Sequence, residues 1–256
     1  MIDWQVLTLF LYIVARVSGF VLFNPILGRN NLPALFKAGF ILVLSAFTAS
    51  LTTQTAAVPS HLLLFSASVL KELLMGYILG FVVHLFFYVI QLAGQVIDTQ
   101  MGMTMNQMYD ASSGGNMSVS AMILNTLMIL LFFAANGHHT LLRILITSGE
   151  IIPFGGIVLN IPALTEAVVK LFVECTILGI KLSMPVLVAE LLGQLGMGVL
   201  MKVIPQINVF SINIELKVII GFGLLFVLVS PISEYLLQME MTMLDSMEIL
   251  LRSSAG

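Results

Sequence analysis

The sequence predicts an all-α integral membrane protein, and two observations indicate this class: an extreme apolar composition and a series of long apolar stretches. Of the 256 residues, 59% are hydrophobic and only 9% are charged. A soluble domain typically has about 45–50% apolar and about 25% charged residues. Charged residues in this number cannot cover a water-facing surface. Lipid or partner proteins must therefore surround much of the chain. We expect one domain over residues 1–256, because no composition shift marks a second.

Six apolar stretches set the expected number of helices. They cover roughly residues 5–28, 38–52, 62–100, 119–136, 166–201 and 218–238. The first, fourth and sixth have about the 20 residues that cross a ~30 Å hydrocarbon layer. The third and fifth would be more than about 50 Å long as straight helices, at about 1.5 Å per residue. We expect these two to tilt, to project beyond the bilayer or to break, with Gly94 and Pro185 as candidate break points.

Several function classes have no residues to support them. A net charge of −3 offers no basic surface for nucleic acid, and one cysteine cannot form an intrachain disulfide. The adjacent His138 and His139 have no accompanying carboxylate or cysteine motif. No HExxH, GxSxG or P-loop motif occurs, so hydrolase and nucleotide-binding functions are not indicated. We expect no catalytic residue, no bound metal and no cofactor.

Charged side chains inside the apolar stretches are candidates for function, because a charge at the bilayer centre costs at least ~2.5 kcal/mol. In the fifth stretch, the positions of four charges place them on one helical face with two opposite-charge i,i+4 pairs. An ion relay would need carboxylates at matching depth on several segments, so we favour neutralised pairs at a protein–protein contact or a helix that lies partly outside the bilayer. The charges assigned to such assembly contacts are Arg16, Lys71, Glu72, Lys170, Glu174, Lys181 and Glu190.

Two short patterns predict local features of the fold. Gly76 and Gly80 have the GxxxG spacing that lets helix backbones approach closely, and we expect simple internal packing there. The most polar stretch, Asn106–Ser118, reads NQMYDASSGGNMS, and its Ser-Ser-Gly-Gly centre predicts a loop. Soft, adaptable methionines crowd its entry, as they would at a seal that must open or in ordinary apolar packing. These methionines are Met101, Met103, Met105 and Met108.

Segments spread over most of the chain carry a family resemblance. They are ARVSGFVLFNPILGRNNLPALFKAGF (Ala15–Phe40), QLAGQVIDTQMGMTMNQMYD (Gln91–Asp110), FFAANGHHTLL (Phe132–Leu142) and MPVLVAELLGQLGMGVLMKVIPQINVFSINIELKVIIGF (Met184–Phe222). The last is the most specific, with a Pro-Gln-hydrophobic-Asn-Val-Phe core and a lysine seven residues after the phenylalanine. From about residue 5 to about residue 240, the chain resembles the FliR family of type III export-gate subunits.

The resemblance implies a non-enzymatic, channel-forming subunit of the flagellar export gate, built from kinked helical hairpins. The expected partners are FliP-like, FliQ-like and FlhB-like subunits, membrane lipid and the unfolded proteins that are exported, with no nucleic acid. The expected location is the bacterial inner membrane, in the flagellar basal body. An injectisome subunit of the SctT type and a stand-alone secondary transporter are alternatives. An intramembrane enzyme is a further alternative, without a nucleophile–base pair to support it.

The resemblance also implies roles for individual residues. The family's polar loop plugs its closed channel. The plug residues carried over are Asn106, Tyr109, Asp110, Ser112, Ser113, Gly114, Gly115 and Asn116. The turn with Pro205, Gln206, Asn208 and Phe210 would be an assembly or cytoplasmic contact. Many relatives have a proline after the aspartate, where this chain has Ala111, so we expect a more flexible loop.

Overall fold

The computed structural model describes residues 3–56, 58–103, 107–110, 114–157, 160–203 and 209–254, of which most are helical. The helices are α1 (Trp4–Phe23), α2 (Ala34–Leu51), α3 (Leu62–Met101), α4 (Val119–Ala134), α5 (Gly137–Ile151), α6 (Ile161–Val203), α7 (Val209–Val227) and α8 (Val229–Ser254). Two short strands, β1 (Met108–Asp110) and β2 (Gly115–Met117), lie between α3 and α4. This architecture confirms the predicted all-α class, with a single small hairpin as its exception.

The helices have the length and composition of membrane spans. Four of those described, α1, α2, α3 and most of α6, are long and apolar enough to cross a bilayer. Two bent pairs raise this number to six if each pair is one span: α4 with α5, bent by 70°, and α7 with α8, bent by 64°. At the first bend Asn136 adopts a left-handed conformation, with φ of 61°. The kinked hairpins that the resemblance implied therefore have counterparts at these two bends.

The two long helices run without interruption, so the expectation that they break is wrong. Helix α3 has 40 residues and α6 has 43, so at about 1.5 Å per residue they are roughly 60 and 65 Å long. Gly94 does not break α3; its missing side chain lets the backbone of Ala121 in α4 approach closely. Pro185 lies inside α6. Both helices exceed the bilayer thickness and must tilt or extend beyond it.

Helix α3 is the centre of the fold, with α1, α4 and α6 packed around it. The contact with α1 is a backbone-to-backbone crossing: a Cβ atom on Gly76 would overlap the carbonyl oxygen of Arg16, and one on Gly19 would overlap that of Leu73. A Cβ atom on Gly80 would lie 3.0 Å from the carbonyl oxygen of Phe20. The internal packing predicted for the GxxxG pattern is thus confirmed.

Large apolar surfaces remain uncovered on the other helices. In the most apolar window of each helix, 22% of the residues are buried in α2 and 33% in α6, against 67% in α3. Phe36 and Phe47 on α2 are more than half exposed, as are Leu192 and Leu195 on α6. Exposed apolar patches of this extent mark contacts with lipid or with other proteins.

Candidate functional site

The polar stretch predicted as a loop is organised by a β-hairpin. Strands β1 and β2 are antiparallel, with Met108 opposite Met117, Tyr109 opposite Asn116 and Asp110 opposite Gly115. Gly114 has φ of 73°, a conformation that glycine adopts without steric cost, and its N–H donates to the carbonyl oxygen of Asp110 at 2.9 Å. No helix forms in the described part of this stretch, as predicted, but the structure adds a feature that the sequence did not indicate: pairing across the turn stabilises extended backbone on both sides. The predicted plug residues Asn106, Ser112 and Ser113 lie outside the described residues.

The hairpin has two faces, because side chains alternate along a strand. Asp110 and Met117 lie on the inner face and line a cavity. Tyr109 and Asn116, which oppose each other, lie on the outer face, and the Tyr109 side chain is 69% exposed. Of the predicted plug residues with described side chains, these two are therefore the exposed ones.

The cavity behind the hairpin has a volume of about 480 Å³. One wall is a face of α3, where Tyr77, Phe81 and Tyr88 succeed each other at intervals of four and seven residues. The connection between α1 and α2 contributes Arg29 and Asn30 to the lining. Aromatic and polar side chains therefore both line the cavity, which is bordered by α3, by this connection and by the hairpin.

The base of the hairpin is held by Asp98, a buried residue in the last turn of α3. Both of its carboxylate oxygens accept from the N–H of Ser120 in the first turn of α4, at 3.2 and 3.3 Å. Its carbonyl oxygen accepts from the N–H of Met103 at 2.9 Å. The segment that carries the hairpin is therefore tied at both ends to one residue. Sequence reasoning missed Asp98, although a carboxylate at the end of an apolar stretch was a visible signal.

We expect Asp98→Ala to loosen the first turn of α4, because a carboxylate at a helix N-terminus satisfies free N–H groups. Losing such a cap typically costs about 0.5–2 kcal/mol, so amide exchange at Ser120 should accelerate roughly 2- to 30-fold. Hydrogen–deuterium exchange of the purified protein measures this change. Asp98→Asn, which keeps an acceptor, should show a smaller effect, and Asp245→Ala, an exposed carboxylate on α8, should show none. Unchanged exchange in Asp98→Ala would remove the capping role.

The described methionines of the predicted constriction have different surroundings. Met101 is fully buried, and its side chain lies against Gly221 of α7, where a Cβ atom would overlap it. Met103 is half-buried against the core, whereas Met108 is 53% exposed on the hairpin. Met105 lies outside the described residues. Of the three described methionines, Met108 is therefore the exposed one, whereas Met101 belongs to the core.

Two of the predicted assembly charges meet each other inside the chain. The guanidinium of Arg16 on α1 lies 2.6 Å from the carboxylate of Glu72 on α3, and both side chains are essentially inaccessible to solvent. Arg16 also donates to the hydroxyl of Ser148 at 3.1 Å and to the carbonyl oxygen of Ile152 at 3.0 Å. Glu72 accepts from the N–H of Gly155 at 2.7 Å. The pair thus joins α1, α3, α5 and the turn after α5.

The remaining predicted assembly charges are more loosely held. Lys71 donates to the carbonyl oxygen of Ile157 at 3.4 Å. Lys170, Glu174 and Lys181 are exposed on α6 and form no ion pair within the described part of the chain. Glu190 is buried, and neither of its carboxylate oxygens has a hydrogen-bond partner among the described residues. The exposed charges remain available for contact with other chains.

Two further expectations concern the turn before α7 and metal binding. Pro205, Gln206 and Asn208 lie outside the described residues, and Phe210 belongs to the first turn of α7. Across the described residues, no group of three or more His, Cys, Asp or Glu side chains could hold a metal ion. The assembly role of the turn remains a prediction.

Comparison with known proteins identifies the family. Residues 7–243 match the sequence profile of the family described as "Bacterial export proteins, family 1". This chain belongs to that family. It is 31% identical to the flagellar biosynthetic protein FliR of Escherichia coli K12 over 237 residues, which cover 90% of this chain and 88% of that protein. The FliR of Bacillus subtilis 168 is 28% identical over 227 residues, covering 87% and 86% of the two chains.

A further relative is named for a process other than flagellar biosynthesis. The surface presentation of antigens protein SpaR of Shigella flexneri is 28% identical over 163 residues, which cover 63% of this chain and 62% of that protein. Membership of the FliR family confirms the resemblance stated from sequence and connects the chain with flagellum assembly and protein export. This family is not known as a class of enzymes. The apolar helices agree with a membrane-embedded export component.

Proposed function

We propose that this chain is a channel-forming subunit of the flagellar type III export gate and that its hairpin closes the channel. It would assemble with FliP-, FliQ- and FlhB-like subunits in the inner membrane, within the flagellar basal body. Unfolded flagellar proteins would pass through the assembly, and the chain would act without catalysis or a cofactor. The observation that carries this proposal is the hairpin, which projects Tyr109 and Asn116 from the end of the long helix α3.

Assembly with other subunits is supported by the surface of the isolated chain. In the isolated chain the apolar faces of α2 and α6 are exposed. Either lipid covers these faces entirely or other proteins cover part of them. The exposed charges Lys170, Glu174 and Lys181 lie on the same helix as the larger of these faces. A charge in a lipid-facing position is costly, so a protein neighbour is the better environment for this side of α6.

A displaceable plug is supported by the way the hairpin is attached. An isolated two-stranded hairpin is only marginally stable in water, so little free energy is needed to move or unravel it. The helices on either side end at local signals: Gly102 in the left-handed conformation after α3 and Ser118 as N-cap of α4. The hairpin can therefore leave its position without unwinding either helix.

The plug function is tested by removing residues 111–115 and measuring conductance. The variant is expected to co-purify with its FliP- and FliQ-like partners at the wild-type ratio, because the deletion spares the helical surfaces. In planar bilayers it should conduct ions steadily, whereas the wild-type complex should remain mostly closed. Tyr109→Ser, which removes bulk from the outer face but preserves chain length, should give an intermediate conductance. Equally closed behaviour of the deletion variant and wild type would exclude the plug.

The similarity to SpaR supports an injectisome gate as the second candidate. Complementation separates the two functions: the gene should restore motility to a bacterium that lacks its own FliR. Restored secretion of virulence proteins in a strain that lacks SpaR, without restored motility, would favour the injectisome.

A further inference from the structure

The turn of the hairpin touches the connection between α1 and α2. A Cβ atom on Gly114 would lie 2.5 Å from the amide nitrogen of the Asn30 side chain and 3.6 Å from its Cγ. Asn30 also lines the cavity, as do Arg29 from the same connection and Asp110 from the hairpin. The Asn30 amide therefore lies against the backbone at Gly114, and a larger residue there would have to displace it.

The connection that carries Asn30 is held by its own hydrogen bonds. The side-chain oxygen of Asn24 accepts from the N–H groups of Ile26 and Leu27, at 2.8 and 3.2 Å. The N–H of Gly28 donates to the carbonyl oxygen of Asn24 at 2.7 Å. Lys37, in the first turn of α2, donates from Nζ to the carbonyl oxygen of Gly28 at 2.9 Å. The connection is thus a bonded platform that joins the ends of two helices.

We propose that residues 24–33, the connection between α1 and α2, act as a latch that holds the hairpin in its closed position. This proposal rests on the function of the hairpin as a plug. Asp98 fixes the base of the hairpin, and Asn30 holds its turn across a cavity of about 480 Å³. Opening separates Gly114 from Asn30 while the base stays attached.

The arrangement of bonds explains why the turn moves and the base does not. At the base, one buried carboxylate accepts from α4, and the same residue's carbonyl oxygen accepts from the chain after α3. Between base and turn, the inner face of the hairpin borders the cavity rather than a packed core. Little burial is lost when the hairpin swings about its base, because Met117, at the base, is the buried residue among those described in the two strands.

The latch is tested by closing it with a disulfide. Cys175, the one native cysteine, is first replaced by alanine, and the pair Asn30→Cys and Gly114→Cys is introduced in that background. The Cγ of Asn30 lies 3.6 Å from the Cβ position of Gly114, and the Asn30 Cβ is one bond farther along, so the two Cβ atoms are about 4–5 Å apart. This separation is near the upper end of the Cβ–Cβ range of about 3.5–4.5 Å in disulfides. An oxidant should form the intrachain disulfide in the assembled complex, detected by mass spectrometry. Export of flagellar proteins should then stop and recover after a reductant is added.

Matched controls test whether the effect depends on the contact between Asn30 and Gly114. Each single-cysteine variant alters the latch and so changes the basal level of export, but adding oxidant should not change that level. The pair Gly39→Cys and Gly114→Cys should remain reduced, because Gly39 has no other side chain or distant backbone within 4 Å. Without any cysteine, Asn30→Ala should increase the time-averaged current about fivefold, the effect of losing one typical polar contact from the closed state. Asn31→Ala, the exposed neighbour, should leave it unchanged.

The outcomes separate the latch from the plug. Absence of the Asn30–Gly114 disulfide, or normal export once it has formed, overturns the latch. If the latch fails but deletion of residues 111–115 still opens the channel, the hairpin is a plug held by other contacts. If that deletion leaves the channel closed, the plug function itself is wrong.

Discussion

Replacing Arg16 with alanine is expected to destabilise the chain by about 3–5 kcal/mol, the usual cost of leaving one member of a buried ion pair alone. The carboxylate of Glu72 would stay in the core at the crossing of α1 and α3, with one N–H of Gly155 as its remaining partner. The effect should extend beyond these helices, because Arg16 also holds Ser148 and the carbonyl oxygen of Ile152. Thermal unfolding of the purified complex in detergent measures the loss.

A double variant and an exposed pair serve as controls for this experiment. Replacing both members, as Arg16→Met with Glu72→Met, should recover part of the loss, because no charge is then left unpaired. Recovery should be incomplete, since Ser148 and Gly155 lose their partners. Arg252→Ala breaks the exposed pair with Glu248 and should cost no more than about 1 kcal/mol. If Arg16→Ala is as stable as Arg252→Ala, the buried pair has no structural role.

Replacing Gly76 with alanine is expected to cost about 1–3 kcal/mol or more, because the added methyl group would overlap the backbone of α1. The nearest atoms are the carbonyl oxygen of Arg16 and the backbone nitrogen of Phe20, and neither can rotate away as a side chain could. Helix α1 must shift as a body, and the shift also separates Arg16 from Glu72. The same thermal unfolding assay should show this loss.

Gly39→Ala is the matched control for the crossing. Gly39 lies within α2, and no distant atom comes within 4 Å of a Cβ atom placed there. Alanine in a helix interior is favoured over glycine by about 0.8–1 kcal/mol, so this variant should be neutral or more stable. Equal stability of Gly76→Ala and Gly39→Ala would show that α1 and α3 do not cross as closely as the structure places them.

Helix prediction succeeded where local composition decided the outcome. Helices α1, α2, α3, α4 and α6 correspond to apolar stretches, because the hydrophobic content of about 20 consecutive residues is enough to select a membrane span. Helix α5 was not predicted, because its sequence includes Thr140, Arg143 and Thr147 and is too polar to be recognised as an apolar stretch. Burial of Leu141 and Leu145 against the rest of the fold stabilises it instead. The break between α7 and α8 also lies inside a stretch that was uniformly apolar.

By itself, the sequence determined the membrane class, most helices, the charges that required partners and the resemblance to the FliR family. Those features depend on residues that are close along the chain, or on motifs that can be matched directly. Only the tertiary structure decided which partners the charges take. Arg16 meets Glu72 across 56 residues, and Asp98 meets Ser120 across 22. Such pairings depend on which faces of two helices meet and on where along their lengths the helices cross. The glycine crossings set both, and they are geometric properties of two helices taken together.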